Sequence, residues 1–149
     1  MCGGRQVEYL GEQKAGAEVI SDLKGMLAGM EPVLNAGVWV YVVCAGDLPV
    51  PLGDVVGMVR EDAGMTLIMA ADVAEAAGLV PLFRAAWITL MVHSDLAGVG
   101  LTAAFAGALG AVGISCNVVA GAYHDHLFVA EADAAAAMAA LWKLQAAHV

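Results

Sequence analysis

Hydrophobic residues along this chain fall into short runs, and their spacing predicts a mixture of helices and strands. Apolar residues at helical spacing predict a helix over residues 17–30, after a leader over residues 1–16 that we expect to be mobile. The β-branched and aromatic run VWVYVVCA predicts a strand over residues 38–45. The segment EPVLNAG between them is predicted to break the helix, and the proline-bearing segment GDLPVPLG is predicted as a loop.

The next segments predict a β-hairpin followed by a short helix. DVVGMVRED and MTLIMA are predicted strands, and the residues AG between them form the tight turn of the hairpin. ADVAEAAG then predicts a short helix, with Asp72 as its N-cap and Gly78 just beyond its C-terminus. The first half of the chain, over residues 17–82, is therefore predicted as α-β-β-β-α.

The second half, over residues 83–149, combines a strong strand signal with two long helix signals. Its predicted elements are a strand (87–94), a helix (95–113), a strand (114–121), a turn (122–126), a strand (127–130) and a helix (131–148). Neither half alone has the strand count of a complete split βαβ unit. We therefore expect two related halves that share or exchange strands within one body.

Composition and charge argue against two classes of binding partner, nucleic acids and anionic membranes. The 149 residues are 61% hydrophobic and carry a net charge of -9, and the 6 basic residues are scattered singly. This arrangement offers no stripe for nucleic-acid phosphates and no basic patch for anionic membranes, so both partners are excluded. The uncharged segment 96–123 is long enough to span a bilayer. It changes from helix-like to strand-like within itself and has no positive flank, so a helix buried against a sheet explains it better.

Cysteine usage and short motifs bear on location and chemistry. The three cysteines, Cys2, Cys44 and Cys116, are widely spaced and form no CxxC pair, which predicts reduced thiols in an intracellular protein. The segment MCGGRQVEYLGEQK has no apolar core of a secretory signal, so we expect a cytoplasmic location. The chain has no P-loop, GxGxxG turn or nucleophile elbow, and we expect no cofactor and no catalysis.

Part of the second half resembles a known family. The segment ITLMVHSDLAGVGLTAAFAGALGAVGISCNVVAGAYHDHLFV is similar to ACT domains, in particular to small proteins with two ACT-like halves and no attached enzyme. VVGMVREDAGMTLIM in the first half resembles the strand-turn-strand of the same family. The resemblance implies an α+β, ferredoxin-like fold of βαββαβ type, with antiparallel sheets and helices packed on one face. It also implies binding of an amino acid or another small metabolite, in a regulatory or sensory role.

The chain departs from the simplest ACT pattern in two places. The second half lacks an obvious final strand after its second helix. The loop from its first strand to its first helix is one residue longer than the commonest form. Both differences bear on the geometry of the ligand pocket that the resemblance implies.

The segment VHSDLAGVGLT carries the candidate ligand site. It leads from a strand into a helix, where unpaired backbone N–H groups and the positive end of the helix dipole attract a carboxylate. In amino-acid-binding ACT domains a His-x-Asn or His-x-Asp pair in this loop contacts the ligand, and the resemblance puts that pair on His93 and Asp95. The candidate ligand-binding residues are His93, Ser94, Asp95, Gly98, Val99, Gly100, Leu101, Ser115 and Asn117.

Purely structural roles explain several of the same residues. Asp95 or Ser94 would serve equally well as a helix cap, Gly98 and Gly100 as positions of close packing, and Asn117 as a partner of buried backbone. The function then has an alternative, a structural module that self-associates through its sheet or helices without a ligand. The low charge and high apolar content suit a homodimer.

The histidines of YHDH raise the question of a metal site. His124 and His126 would point the same way in a strand, but zinc sites use three or four ligands, and no third ligand or HExxH motif lies nearby. Asp125 suits a turn, because its side chain bonds nearby backbone. We therefore expect a hairpin turn here and no metal.

Overall fold

Seven strands form one sheet in the computed structural model of the protein, which describes residues 19–149. The predicted leader over residues 1–16 lies outside the described residues. The strands are β1 (Pro32–Leu34), β2 (Trp39–Cys44), β3 (Val55–Glu61), β4 (Gly64–Ala70), β5 (Phe83–Leu90), β6 (Asn117–Ala120) and β7 (Asp125–Ala130). The helices are α1 (Leu23–Gly29), α2 (Ala71–Ala76), α3 (Leu101–Gly110) and α4 (Ala134–Ala146), with short 3-10 turns at Leu52–Asp54 and Glu131–Asp133.

All neighbouring strands run antiparallel, in the order β3-β4-β2-β5-β7-β6. One side of β5 has two partners, because its first three residues pair with β2 and its last three pair with β1. β1 and β2 thus lie one after the other along the same side of β5. Asn35 fixes their junction, since its Nδ2 donates to the Trp87 carbonyl oxygen at 3.2 Å and to Thr89 Oγ1 at 2.9 Å.

Two ferredoxin-like units share strands within this sheet. The first unit contains β2, β3, β4 and α2, with the beginning of β5 as its fourth strand. The second unit contains β5, α3, β6, β7 and α4, with β1 as its fourth strand. The expected sharing of strands is confirmed, and β1 supplies the final strand that the second half lacks in sequence.

Some predicted boundaries in the first half are wrong. α1 begins at Leu23, so residues 19–22 of the predicted helix are not helical, because the Asp22 side chain caps α1 by accepting the Gly25 N–H at 2.8 Å. The segment EPVLNAG is not only a break, since Pro32–Leu34 forms β1; three residues are too few to show the alternation of a strand. Asp72 is not the N-cap of α2, which is Ala70, and lies in the first turn.

The boundaries in the second half differ in a similar way. β5 runs from Phe83 to Leu90, so the strand predicted over residues 87–94 is placed four residues too late. α3 begins at Leu101 and not at residue 95, because Gly100 has a φ of 106° that no helix contains. The predicted turn over residues 122–126 is too long, since Asp125 and His126 already belong to β7.

The helices pack on one face of the sheet, as the resemblance implies. α1, α3 and α4 cover the second unit, and their apolar side chains pack with alternate residues of β5 and β7 such as Ile88 and Leu127. α2 covers the first unit, where Ala74 packs with Val40 and Leu67. The opposite face is rich in aromatic side chains, namely Trp39, Tyr41, Phe83, Trp87 and Phe128. Among the residues that the structure describes, no helix is long and apolar enough to cross a membrane.

Candidate functional site

The segment of residues 91–100, which we call the 91–100 loop, connects β5 to α3 and is fastened by the chain before α1. The Ile20 N–H donates to the His93 carbonyl oxygen at 3.0 Å, and the Asp95 N–H donates to the Ile20 carbonyl oxygen at 3.2 Å. Ile20 and Ser94 form an isolated parallel bridge through these bonds. The backbone around Ser94 is therefore held in place like a short strand.

Asp95 folds the loop on itself and does not cap the helix. Its Oδ1 accepts the Ala97 N–H at 2.8 Å, and its carbonyl oxygen accepts the Gly98 N–H at 2.8 Å. The N-cap of α3 is Gly100, which makes no side-chain hydrogen bond to the helix. The first backbone N–H groups of α3 thus carry no side-chain cap and form the positive end of the helix dipole.

Gly98 and Gly100 let the 91–100 loop pack closely against α1. A Cβ added at Gly98 would lie 2.8 Å from the Asp95 carbonyl oxygen and 3.2 Å from Met26 Sδ. A Cβ at Gly100 would lie 3.0 Å from Leu23 Cδ2. Both glycines are therefore required by packing, whether or not a ligand approaches the backbone here.

A small cavity of about 60 Å³ lies between the 91–100 loop, α3 and the end of β7. This volume has room for a few water molecules or a small polar group. Four of the predicted ligand-binding residues meet at this cavity, namely Ser94, Asp95, Gly98 and Leu101. Thr102, in the first turn of α3, and Asp125 also line it.

Asp125 belongs to the site although its sequence pattern predicts only a turn. Its side chain is only 7% exposed, and its Oδ2 accepts the Ser94 hydroxyl at 3.2 Å. It lies on the helix side of the sheet because it pairs with Leu90, whose side chain is in the core under the helices. Only the register of β7 reveals this position, because a residue in a turn would have no fixed face.

The other predicted residues of the 91–100 loop do not line the cavity. The His93 ring packs against the Tyr123 ring, with 5.7 Å between the ring centroids. Val99 is 84% exposed at the surface. Gly100 contributes only as the N-cap of α3.

Ser115 and Asn117 lie away from the cavity as well. Asn117 of β6 pairs with Phe128 of β7, and this register turns the Asn117 side chain to the face opposite the helices. The Asn117 Nδ2 donates to the Phe128 carbonyl oxygen at 3.3 Å. Ser115 is exposed just before this strand. The structure therefore separates these two polar residues from the 91–100 loop.

His124 and His126 contact different parts of the protein. His124 Nδ1 lies 3.3 Å from the Val92 carbonyl oxygen at the turn. His126 Nδ1 accepts the Trp87 Nε1–H at 3.1 Å on the aromatic face. Burial lowers the pKa of His126 below its usual value, His124 adds to this lowering, and Asp125 opposes it. Within residues 19–149 no three metal-ligating side chains come together.

The two described cysteines, Cys44 and Cys116, are free and half-buried. Burial raises the pKa of the Cys116 thiol to about 11. A thiol of this kind stays protonated at neutral pH and is a poor nucleophile.

Comparison with known proteins agrees with this architecture. A family model described as an ACT domain matches residues 18–86, and a second model with the same description matches residues 83–143. The two matches overlap in residues 83–86, at the beginning of β5, which both units use. The chain belongs to the ACT-domain superfamily. Its two ACT units stand in tandem and share strands.

Solved structures show the same fold. A protein of unknown function from Vibrio cholerae, described as a possible transport protein, is 43% identical, with a TM-score of 0.73 over 83% of this chain and 95% of that chain. The ligand-free regulatory subunit of aspartate kinase from Thermus thermophilus is 13% identical, with a TM-score of 0.58 over 76% and 95% of the two chains. A protein from Agrobacterium tumefaciens is 17% identical, with a TM-score of 0.57 over 78% and 89%. No curated protein matches the chain.

Proposed function

We propose that this protein is a non-catalytic regulatory or sensor module that binds an amino acid at the cavity beside the 91–100 loop. The observation that carries the proposal is the buried Asp125 carboxylate, which lines the same cavity as Asp95 and the first turn of α3. A regulatory role is supported by the ACT family, whose members bind small molecules such as amino acids.

The lining of this cavity includes candidate partners for both charges of an amino acid. An α-ammonium needs a negative partner, and the Asp125 and Asp95 carboxylates both line the cavity. An α-carboxylate needs N–H donors, and the first turn of α3 offers backbone N–H groups that no side chain caps. Ser94, which donates to Asp125, holds that carboxylate in position for the ammonium.

The size of the cavity suggests which part of the ligand it holds. A volume of about 60 Å³ matches the two charged groups and the α-carbon of an amino acid but not a large side chain. The ligand side chain would extend over Leu96 and Val99, which are 69% and 84% exposed. Because both are apolar, we propose that the ligand is an amino acid with an apolar side chain.

Calorimetric titration of the full chain with each amino acid tests this function. We expect an apolar amino acid to bind, and the isosteric Asp125→Asn variant to bind it about ten-fold or more weakly because the ammonium loses its charged partner. Asp54→Asn, on the 3-10 turn of the first unit, is the matched control and should leave the affinity unchanged.

Ligand analogues locate the charges. The 2-hydroxy acid with the same side chain lacks the ammonium, so it should bind weakly to the wild type. It should bind the Asp125→Asn variant equally well, because it forms no ion pair with the Asp125 carboxylate. Binding of no amino acid, or equal binding by wild type and Asp125→Asn, would contradict the proposed function.

A further inference from the structure

A second and larger cavity lies on the aromatic face of the sheet, away from the helices. Its volume is about 500 Å³, within the range of roughly 300–1,000 Å³ that is typical of small-molecule sites. Leu52, Val55 and Val56 of the first unit line one side, and Trp87 and Phe128 of the second unit line the other. It shares no lining residue with the cavity beside the 91–100 loop.

The residues that line this cavity include some from both edge strands of the sheet and from the 3-10 turn before β3. Val55 and Val56 belong to the edge strand β3, and Val119 belongs to β6 at the opposite edge. In a flat sheet these edges would be about 24 Å apart, five strand spacings of about 4.8 Å each. One cavity borders residues of both edge strands, so the aromatic face together with the 3-10 turn forms a concave surface here.

The cavity offers ring surfaces and no formal charge. Its lining contains no Asp, Glu, Lys or Arg side chain, and His126 is its one ionisable residue. The rings of Trp87 and Phe128 are stacked with centroids 5.9 Å apart and an interplanar angle of 20°. Such a surface favours apolar and aromatic groups.

Hydrogen bonds hold His126 in its neutral form. The indole Nε1–H of Trp87 can only donate, so His126 Nδ1 is the acceptor and the ring proton is on Nε2. Thr89 Oγ1 lies 3.2 Å from the same Nδ1, and it accepts from Asn35 at 2.9 Å. Burial also lowers the pKa of His126, which agrees with a neutral ring at physiological pH.

From the residues that line this cavity, which we call the aromatic cavity, we propose that it binds an uncharged, ring-bearing small molecule, with His126 as its polar contact. A zwitterionic amino acid does not fit this chemistry, because no charged side chain lines the cavity to compensate its ammonium and carboxylate. A cavity of about 500 Å³ also suits a small molecule better than the flat surface of another protein. The protein would then have two sites of different chemistry on opposite faces of one sheet.

Three one-ring probes that differ in charge test the proposal: phenol, benzylamine and benzoate, each titrated calorimetrically into the full chain. Phenol is expected to bind about ten-fold or more tightly than either charged probe. Val119→Phe fills the cavity and should weaken phenol binding about ten-fold or more. Val118→Phe is the matched control, because Val118 pairs with Leu127 on the helix side of the same strand, and it should leave phenol binding unchanged.

Three outcomes would overturn the proposal. The first is that none of the probes binds. The second is that a charged probe binds as tightly as phenol, and the third is that both variants weaken phenol binding equally. Failure to bind phenol, together with an oligomer that Val119→Phe splits, would assign the face to a second copy of the chain. If Val119→Phe does not fold, Val56→Phe fills the same cavity from its other side. Asp125→Asn should still bind phenol, which separates this site from the amino-acid site.

Discussion

The two ACT units differ most in the connection that follows their first strand. In the second unit, β5 is followed by the 91–100 loop and α3, which brings an uncapped helix N-terminus to the end of the sheet. In the first unit, β2 is followed by an irregular segment with Pro49 and Pro51 that ends in the 3-10 turn. Proline lacks the N–H that a helix interior needs, so this segment cannot form the missing helix. The anion-binding end of a helix is therefore present beside β5 and missing beside β2.

The proline-bearing segment has a different use in the first unit. Val50 is buried and packs with the core between the sheet and α2, which partly replaces the missing helix. Leu52, two residues later, lines the aromatic cavity on the other face. The same connection thus helps to form the polar cavity in one unit and the apolar cavity in the other. Loss of a helix at this position changes the chemistry of a site without changing the order of the strands.

The largest expected effect comes from removing the core side chain of the connection in each unit. Phe105 of α3 is fully buried, so Phe105→Ala should lower the free energy of unfolding by about 3–5 kcal/mol. Val50→Ala removes a much smaller buried apolar group than the Phe105 ring and should cost about 1–2 kcal/mol. Urea unfolding followed by circular dichroism measures both. Equal losses would mean that the proline-bearing segment stabilises its unit as strongly as a helix does.

The second-largest expected effect comes from replacing one glycine in each connection by alanine. Gly100 has a φ of 106°, and a Cβ there would also lie 3.0 Å from Leu23 Cδ2, so Gly100→Ala should cost about 1–3 kcal/mol. Gly53, in the 3-10 turn, has open space where its Cβ would stand, so Gly53→Ala should change the free energy of unfolding by less than about 0.5 kcal/mol.

Thermal unfolding of the two alanine variants beside the wild type checks this pair. A neutral Gly100→Ala would mean that α1 and the 91–100 loop move apart without cost, and that the close packing against Leu23 is not needed. A costly Gly53→Ala would show that the 3-10 turn is more constrained than its open surroundings indicate.

Sequence patterns predict this fold better than they predict its site, and particular residues explain why. The hairpin of β3 and β4 follows from the short turn between two apolar runs, which is local information. β5 begins at Phe83, but Arg84, Ala85 and Ala86 carry little strand propensity and belong to the strand only because β2 and β7 pair with them. The pairing of β1 with β5 joins residues more than fifty positions apart, and no local pattern contains it.

The site depends on register, which the sequence leaves open. Asn117 is predicted to bind the same ligand as the 91–100 loop, yet its pairing with Phe128 turns its side chain to the aromatic face. Asp125 is predicted in a turn, yet it is the first residue of β7 and faces the helices. A shift of one residue in either strand would exchange these faces, so the side chains at the cavity follow from pairing and not from residue type.

The smallest expected effect is the difference between substitutions of two tryptophans that are in contact on the aromatic face. Each tryptophan belongs to the first strand of one unit. Trp39 and Trp87 pack edge to face, with ring centroids 4.6 Å apart. Trp87 Nε1 donates to His126, whereas the buried Nε1 of Trp39 has no hydrogen-bond partner among the described residues. Replacing each by phenylalanine removes a bonded donor in one case and an unsatisfied donor in the other.

Trp39→Phe should therefore cost about 1 kcal/mol less in the free energy of unfolding than Trp87→Phe. Urea unfolding of both variants under identical conditions measures the difference, and the pair is matched in ring size and face of the sheet. An equal or greater cost for Trp39→Phe would mean that its N–H has a partner in solution, such as a bound water. In that case the two first strands would contribute equally to the polar contacts of this face, and the difference between the units would be confined to the connections that follow them.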